Sequence, residues 1–204
     1  MKRGLIIIIL AVLIPGNAWC HPHVFMDTGI EVAYNDRGLS GFWIDWEFDK
    51  IFTASILMDF DRDHDRILSP EEVADIQANA FSNLANYNYF LYFRCCGNTY
   101  RPTAVKDFTA YMENERIHYR FFVPYSLPLG DGAAKINLAV YDDTYFCAIS
   151  YAEPLAVLFP SSESFSGEYG VCEDRGIHID YIANDGSSGS TFPLQIVLTL
   201  RRRS

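Results

Sequence analysis

Two runs rich in β-branched and aromatic side chains, residues 24–34 and 39–48, flank Asn35-Asp36-Arg37-Gly38, and no other feature restricts the fold more. Turn formers between two such runs predict a β-hairpin. The same patterning returns in Arg116-Ile117-His118-Tyr119-Arg120-Phe121, in 136–140 and 145–151, and in 194–201, where Ile196, Leu198 and Leu200 fall on one face. Side chains along a strand alternate between faces, so each such segment has one apolar side to bury. Turn-rich stretches at 128–132 and 184–189 separate the strands. Many short strands, each with a face to hide, pack most simply as two facing sheets. The expected fold is therefore mainly β, an immunoglobulin-like β-sandwich.

One region breaks the strand pattern. Ile51, Phe52, Ile56 and Leu57 recur at helical spacing, with Asp49 placed to cap the helix. Ser69-Pro70-Glu71-Glu72 reads as a capping box with proline at the first helical position, opening a second helix through Val73, Ile76, Ala80 and Leu84 to near Asn86. The expectation is a helix–loop–helix inserted into the sandwich at about 49–87. The loop 61–72 has the spacing of an EF-hand: Asp61, Asp63 and Asp65 supply alternate carboxylates, Ile67 a backbone carbonyl, Ser69 the ninth position and Glu72 the closing carboxylate. Leu68 falls where the inward apolar residue belongs, and His64 at an outward position. Arg66 stands where glycine is expected, because the backbone turns sharply there. A bulky residue with left-handed backbone costs roughly 1–2 kcal/mol, so calcium affinity is expected to suffer about tenfold.

The chain opens with Lys2-Arg3, an apolar run of ten at 5–14, and the breakers Pro15-Gly16-Asn17 before Ala18-Trp19-Cys20. The run is about half of the ~20 residues needed to cross a bilayer, so residues 1–20 read as a cleaved secretory signal peptide. The remainder, 21–204, is expected to be one exported domain, periplasmic in a Gram-negative cell. The whole chain carries 16 basic and 26 acidic residues, and the leader holds two of the basic ones, leaving the exported part at a formal −12. That charge disfavours nucleic acid, whose phosphates need a basic footprint, and favours cations.

Cleavage after Cys20 would make His21 the N-terminus of His21-Pro22-His23. Its α-amine and imidazole, with a second imidazole, form the three-nitrogen arrangement called a histidine brace, which Cu²⁺, Zn²⁺ and Ni²⁺ accept. The rival N-terminal mode needs deprotonated backbone amides, and Pro22 has none to give. In an extended strand His21 and His23 share a face. Further ligands could come from His178 and Asp180, two apart on one strand face, or from Asp49 and Asp142 at strand ends. His118, between Arg116 and Arg120, is expected not to bind metal.

Cys95, Cys96, Cys147 and Cys172 follow the leader, an even count that favours disulfides in an oxidising compartment. A bridge between the adjacent Cys95 and Cys96 would be strained, so one of them joined to Cys147 or Cys172 is expected. No nucleophile elbow, phosphate loop or catalytic cysteine signature occurs, and the protein is expected not to be an enzyme.

The leader ending directly before His-Pro-His-Val-Phe, the Trp46-Glu47-Phe48-Asp49 stretch, the 61–72 loop, and Tyr141-Asp142-Asp143-Thr144-Tyr145-Phe146 together resemble a periplasmic bacterial family, domain of unknown function 1007. Arg66 departs from the loop pattern, and Cys20 stands where alanine is commoner. Members are often encoded beside NicO-type nickel/cobalt permeases, and at least one such pair is associated with zinc acquisition. The resemblance therefore implies a periplasmic accessory protein that binds Zn²⁺ or Ni²⁺/Co²⁺ through His21 and His23, carries Ca²⁺ in its loop, and delivers or buffers metal for an inner-membrane permease. The alternatives are an oxidative enzyme with a copper histidine brace, and a calcium-stabilised interaction module with no transition metal.

Overall fold

A computed structural model of the chain describes residues 22–182 and 187–203. The expected leader 1–20 and His21 lie outside the described residues. The chain is mainly β, with two large sheets enclosing one core. Strands β1 (Val24–Asn35) and β2 (Gly38–Phe48) form the expected antiparallel hairpin. Its turn is closed by Asn35, whose Oδ1 accepts the amides of Arg37 at 2.9 Å and Gly38 at 3.2 Å. Glycine is required at Gly38: its φ is +146°, and a Cβ there would meet Leu127 O and Leu129 N at 2.6 Å.

With β5 (Lys106–Glu113), β6 (Arg116–Pro128), β8 (Cys147–Tyr151) and β9 (Val157–Leu158), the first sheet runs β5-β6-β2-β1-β8, and β9 also pairs with β1. The β1–β8 and β1–β9 pairings are parallel. The second sheet runs β10-β13-β7-β3-β4, from β3 (Leu91–Cys95), β4 (Asn98–Tyr100), β7 (Ala134–Val140), β10 (Phe165–Glu173) and β13 (Leu194–Arg202). Inward residues of both sheets belong to one core cluster, including Val32, Phe42, Ile44 and Phe121 of the first and Phe93, Leu138, Ile196, Leu198 and Leu200 of the second. The Phe42 and Phe93 rings stack across it at 5.2 Å. A small hairpin, β11 (Ile179–Ile182) with β12 (Ser188–Thr191), lies beside the turn after β7, where Tyr181 stacks on Tyr145 at 5.1 Å.

Helices α1 (Lys50–Phe60) and α2 (Pro70–Asn79) follow β2. Asp49 caps α1 by accepting the amides of Ile51 and Phe52, and Ser69 with Glu72 forms the capping box of α2. The second helix is shorter than its periodicity predicts. It gives way after Asn79 to a kinked 3-10 segment, Phe81–Phe90, in which Asn88 and Tyr89 have positive φ. The Oγ of Ser82 donates to Ala78 O and the Nδ2 of Asn83 to Asn79 O. Such side chains offer the backbone alternatives to helical bonds. The bend also places Phe81 in the core, against Phe108 at 4.1 Å and Phe121 at 5.0 Å. Among the described residues no helix is long and apolar enough to cross a membrane.

Candidate metal centre

The loop between α1 and α2 gathers carboxylates. One oxygen from each of Asp61, Asp63 and Asp65 lies within 4.8 Å of the others. The bends that achieve this are left-handed residues at His64 (φ +59°) and Arg66 (φ +64°). They are held by the chain itself. Asp61 Oδ2 accepts the Arg66 amide at 3.0 Å, and Asp65 Oδ1 accepts the Ile67 amide at 2.6 Å. Leu68 turns inward against the core while Ile67 is 72 % exposed.

Asp61 is the unusual member. It is 3 % exposed, and its Oδ1 is buried with no hydrogen-bond partner. A buried polar atom left unpaired costs about 1–3 kcal/mol, more when charged. Glu72 is not gathered with the three aspartates. Its Oε1 accepts the Arg62 amide at 2.7 Å, and its Oε2 accepts both the amide and the hydroxyl of Ser69 at 2.9 Å. The bond from the Arg62 amide, then those from Ser69, hold the Glu72 carboxyl below the usual carboxylate range. In this arrangement Glu72 and Ser69 stitch the loop to α2.

His23 has a different setting. The His23 amide donates to Phe146 O at 2.8 Å, and its ring lies 5.1 Å from the Phe146 ring. The side chain is exposed. Below it, Val24, Trp46, Phe52, Phe81, Tyr119 and Phe146 help to line an apolar cavity of about 430 Å³. The strand-end carboxylates offered as further ligands are already occupied. Asp49 accepts the Phe25 amide on Oδ2 at 2.7 Å, besides capping α1. Burial opposes ionisation of Asp49, but those three amides outweigh it and lower its pKa. Asp142, 4 % exposed, accepts the Thr144 amide and hydroxyl on Oδ1 and the amides of Phe146 and Cys147 on Oδ2. It folds the very turn that carries Phe146. His178 and Asp180 are exposed at and beside β11, with His178 against the Phe192 ring at 4.7 Å and Nδ1 3.4 Å from Ser190 Oγ. Among the described residues, Asp61, Asp63 and Asp65 are the one group of three or more such side chains close enough to share a metal, so no two of His178, Asp180, Asp49 and Asp142 form such a group with His23.

Sequence reasoning missed a charged cluster on the outer face of the first sheet. His118, expected not to bind metal because it lies between two arginines, is 7 % exposed, and its Nδ1 is 2.9 Å from Asp45 Oδ1. The Tyr111 hydroxyl donates to Asp45 Oδ2 at 2.8 Å, and its ring stacks on the imidazole at 4.9 Å. Glu47 and Glu113 each approach Nε2 to 3.9 Å. The flanking arginines are taken up by Glu47, 3.2 Å from Arg116, and Glu31, 2.6 Å from Arg120. Burial opposes charge on the ring, but Asp45, then Glu47 and Glu113, prevail and raise its pKa. The available signal was Asp45 and Glu47 two apart on one strand, but the pairing of Glu47 with His118 is set by a register that the sequence does not display.

The expected bridge from Cys95 or Cys96 to Cys147 or Cys172 is not formed, and the four cysteines among the described residues are free. Cys95 ends β3, Cys147 lies on β8 of the other sheet, and Cys172 lies on β10, across β13 and β7 from β3. Three strand spacings, roughly 14 Å, far exceed the ~7 Å between Cα atoms that a disulfide tolerates.

Two relatives are themselves uncharacterised. An uncharacterised protein of Haemophilus influenzae is 25 % identical over 155 residues, which is 74 % of this chain and 73 % of the relative. An uncharacterised 15.5 kDa protein in the trpE 3′ region of Spirochaeta aurantia is 31 % identical over 91 residues, 45 % of this chain and 64 % of that protein. A family model matches residues 6–166, a span that takes in the hairpin, the carboxylate loop and the Asp142 turn but stops short of Cys172, His178 and Asp180. A match over most of the chain decides membership, and the chain belongs to the family described as protein of unknown function (DUF1007).

Proposed function

We propose that this is an exported, periplasmic, non-catalytic protein that binds divalent metal ions, with Ca²⁺ held in the EF-hand-like loop 61–72 of a β-sandwich of immunoglobulin-like kind. The observation that carries the reading is Asp61, a sealed carboxylate whose Oδ1 has no partner and whose neighbours are the carboxylates of Asp63 and Asp65. A hard cation with oxygen ligands answers both the unpaired atom and the mutual repulsion. Asp61, Asp63 and Asp65 would hold it, with the Ile67 carbonyl, Ser69 and Glu72 as the remaining donors. Such an ion pins the helical insertion to the sheets rather than switching it, since sensors of this type expose a groove between helix pairs. The test is thermal unfolding in CaCl₂ against EDTA. At a hundredfold excess over Kd the ion adds about 2.7 kcal/mol, and Asp61→Asn should abolish that gain. Equal Ca²⁺ stabilisation of wild type and Asp61→Asn would end the proposal.

A second reading is favoured by the exposed side chain of His23 and its backbone anchor on Phe146. In this reading His21 and His23 present Zn²⁺ or Ni²⁺/Co²⁺ at an open chain terminus, suited to transfer to an inner-membrane permease. Intact mass of the exported protein reports whether His21 is the terminus. Metal analysis after replacing both histidines by alanine should show lost Zn²⁺ and Ni²⁺, and unchanged retention would overturn this reading.

A further inference from the structure

Along a strand, successive side chains point to opposite faces, so adjacent cysteines normally hold their sulfurs apart. Cys95 and Cys96 escape that rule. Cys95 is the last residue of β3, pairs with Asn98 of β4, and is buried. Cys96 and Gly97 form the two-residue turn, with φ of +57° and +78°. Two left-handed residues are the demand of a tight hairpin turn, commonly met by Asn-Gly or Gly-Gly. Here a cysteine takes the first place, and its left-handed backbone swings the side chain to the Cys95 side. The two Sγ atoms lie 2.7 Å apart. A disulfide needs about 2.05 Å, and neighbouring Cα atoms about 3.8 Å apart sit below the usual 4.4–6.8 Å, so the closed form is strained and correspondingly easy to reduce. The thiols open on a cleft of about 380 Å³ that Arg94, Lys135 and Asn137 help to line, so a disulfide reagent can reach Cys96.

We propose that Cys95 and Cys96 are a reversible oxidation site that closes as a disulfide between neighbours in the β3–β4 turn. The oxidant is a disulfide of the exchange class, either a small-molecule disulfide or a dithiol oxidoreductase. The Cys96 thiolate attacks one sulfur of that disulfide, forming a mixed disulfide and releasing one thiolate. Cys95 then loses its proton to solvent and attacks the Cys96 sulfur, expelling the second thiolate. Two protein thiols have become one disulfide, and the oxidant's two electrons and two protons end on its two thiols. The second step is the slower one at neutral pH. Burial, together with the hydrogen bond and charge of Cys96, pushes the Cys95 thiol up to about 11. Closure removes two soft sulfur donors from an exposed cleft, so oxidation also silences thiolate chemistry there.

The experiment incubates the folded protein with oxidised glutathione, alkylates the remaining thiols and maps peptides by mass. The expected product is the single peptide carrying both Cys95 and Cys96, unalkylated and lighter by two hydrogens than the dithiol, with Cys147 and Cys172 alkylated. Its yield rises with pH, and a reductant restores both thiols. Cys96→Ser, a near-isosteric change in the turn, should leave Cys95 without an intramolecular partner and without a glutathione adduct. A peptide joining Cys95 or Cys96 to Cys147 or Cys172 overturns the proposal. So does a lasting glutathione adduct on Cys96 with Cys95 still alkylated.

Discussion

Replacing Arg66 by glycine separates two effects that the loop sequence leaves merged. Arg66 is left-handed, and the chain's own hydrogen bonds hold it so: Asp61 takes its amide, Asp65 the next one, and Glu72 those of Arg62 and Ser69. On the proposed reading the strain would then fall on folding, whereas the motif alone charges it to calcium affinity. A non-glycine residue in that conformation costs about 1–2 kcal/mol. Glycine returns about 0.5–1 kcal/mol of this through its larger unfolded-state entropy. Arg66→Gly should then stabilise the protein in EDTA by about 0.5–1 kcal/mol, or about 1–4 °C in Tm for a chain of this size. Arg66→Ala removes the same charge and keeps the strain, so its Tm in EDTA should stay near that of wild type. Calorimetric titration should give the two variants Ca²⁺ affinities within about twofold, or ~0.4 kcal/mol. If the glycine variant binds tenfold tighter than the alanine variant and gains nothing in EDTA, the bend forms on ion capture and the reasoning fails.

Tyr119 offers a cleaner case of a buried polar atom, because its hydroxyl has no partner. Tyr119→Phe should be neutral or stabilising by about 1 kcal/mol in urea unfolding, and a loss of similar size would show that the hydroxyl is satisfied. His118 should make stability depend on pH: its folded pKa lies above the ordinary 6.5, so its contribution is complete below that value and disappears as pH rises through the folded pKa. His118→Gln should flatten the decline, and an unchanged profile between the two proteins places the dependence elsewhere. Asp49→Ala removes the α1 cap and the acceptor for the Phe25 amide. The loss should be about 2 kcal/mol at neutral pH, measured by urea unfolding. Because the folded pKa of Asp49 is lowered from 3.8, its contribution is present above that value and fades as pH falls through the folded pKa. The difference between Asp49→Ala and wild type should therefore shrink in acid, and a constant difference would assign the effect to packing.

What could be read from the sequence was whatever a short window determines. Alternation placed Ile196, Leu198 and Leu200 on one face, and all three are fully buried. Asn35 closes the hairpin and Asp49 and Ser69 cap their helices because each bonds amides two or three residues away. Carboxylate spacing in the loop was equally local, and Asp61, Asp63 and Asp65 do converge. What escaped depended on distant partners or on what a side chain was already doing. Asp142 reads as a potential ligand because its acidity is visible, whereas its commitment to the amides of Thr144, Phe146 and Cys147 is not. Asp49 misleads in the same way, since its second oxygen is claimed by Phe25 on a neighbouring strand. His118 was set aside for its neighbours along the chain, yet Asp45 and Glu47 on β2 and Glu113 on β5 are what raise its pKa against burial. Strand-end acids should therefore be weighed as metal ligands only after their nearby amides are counted, and by that measure Asp61, with one oxygen sealed and unpaired, outranks both Asp49 and Asp142.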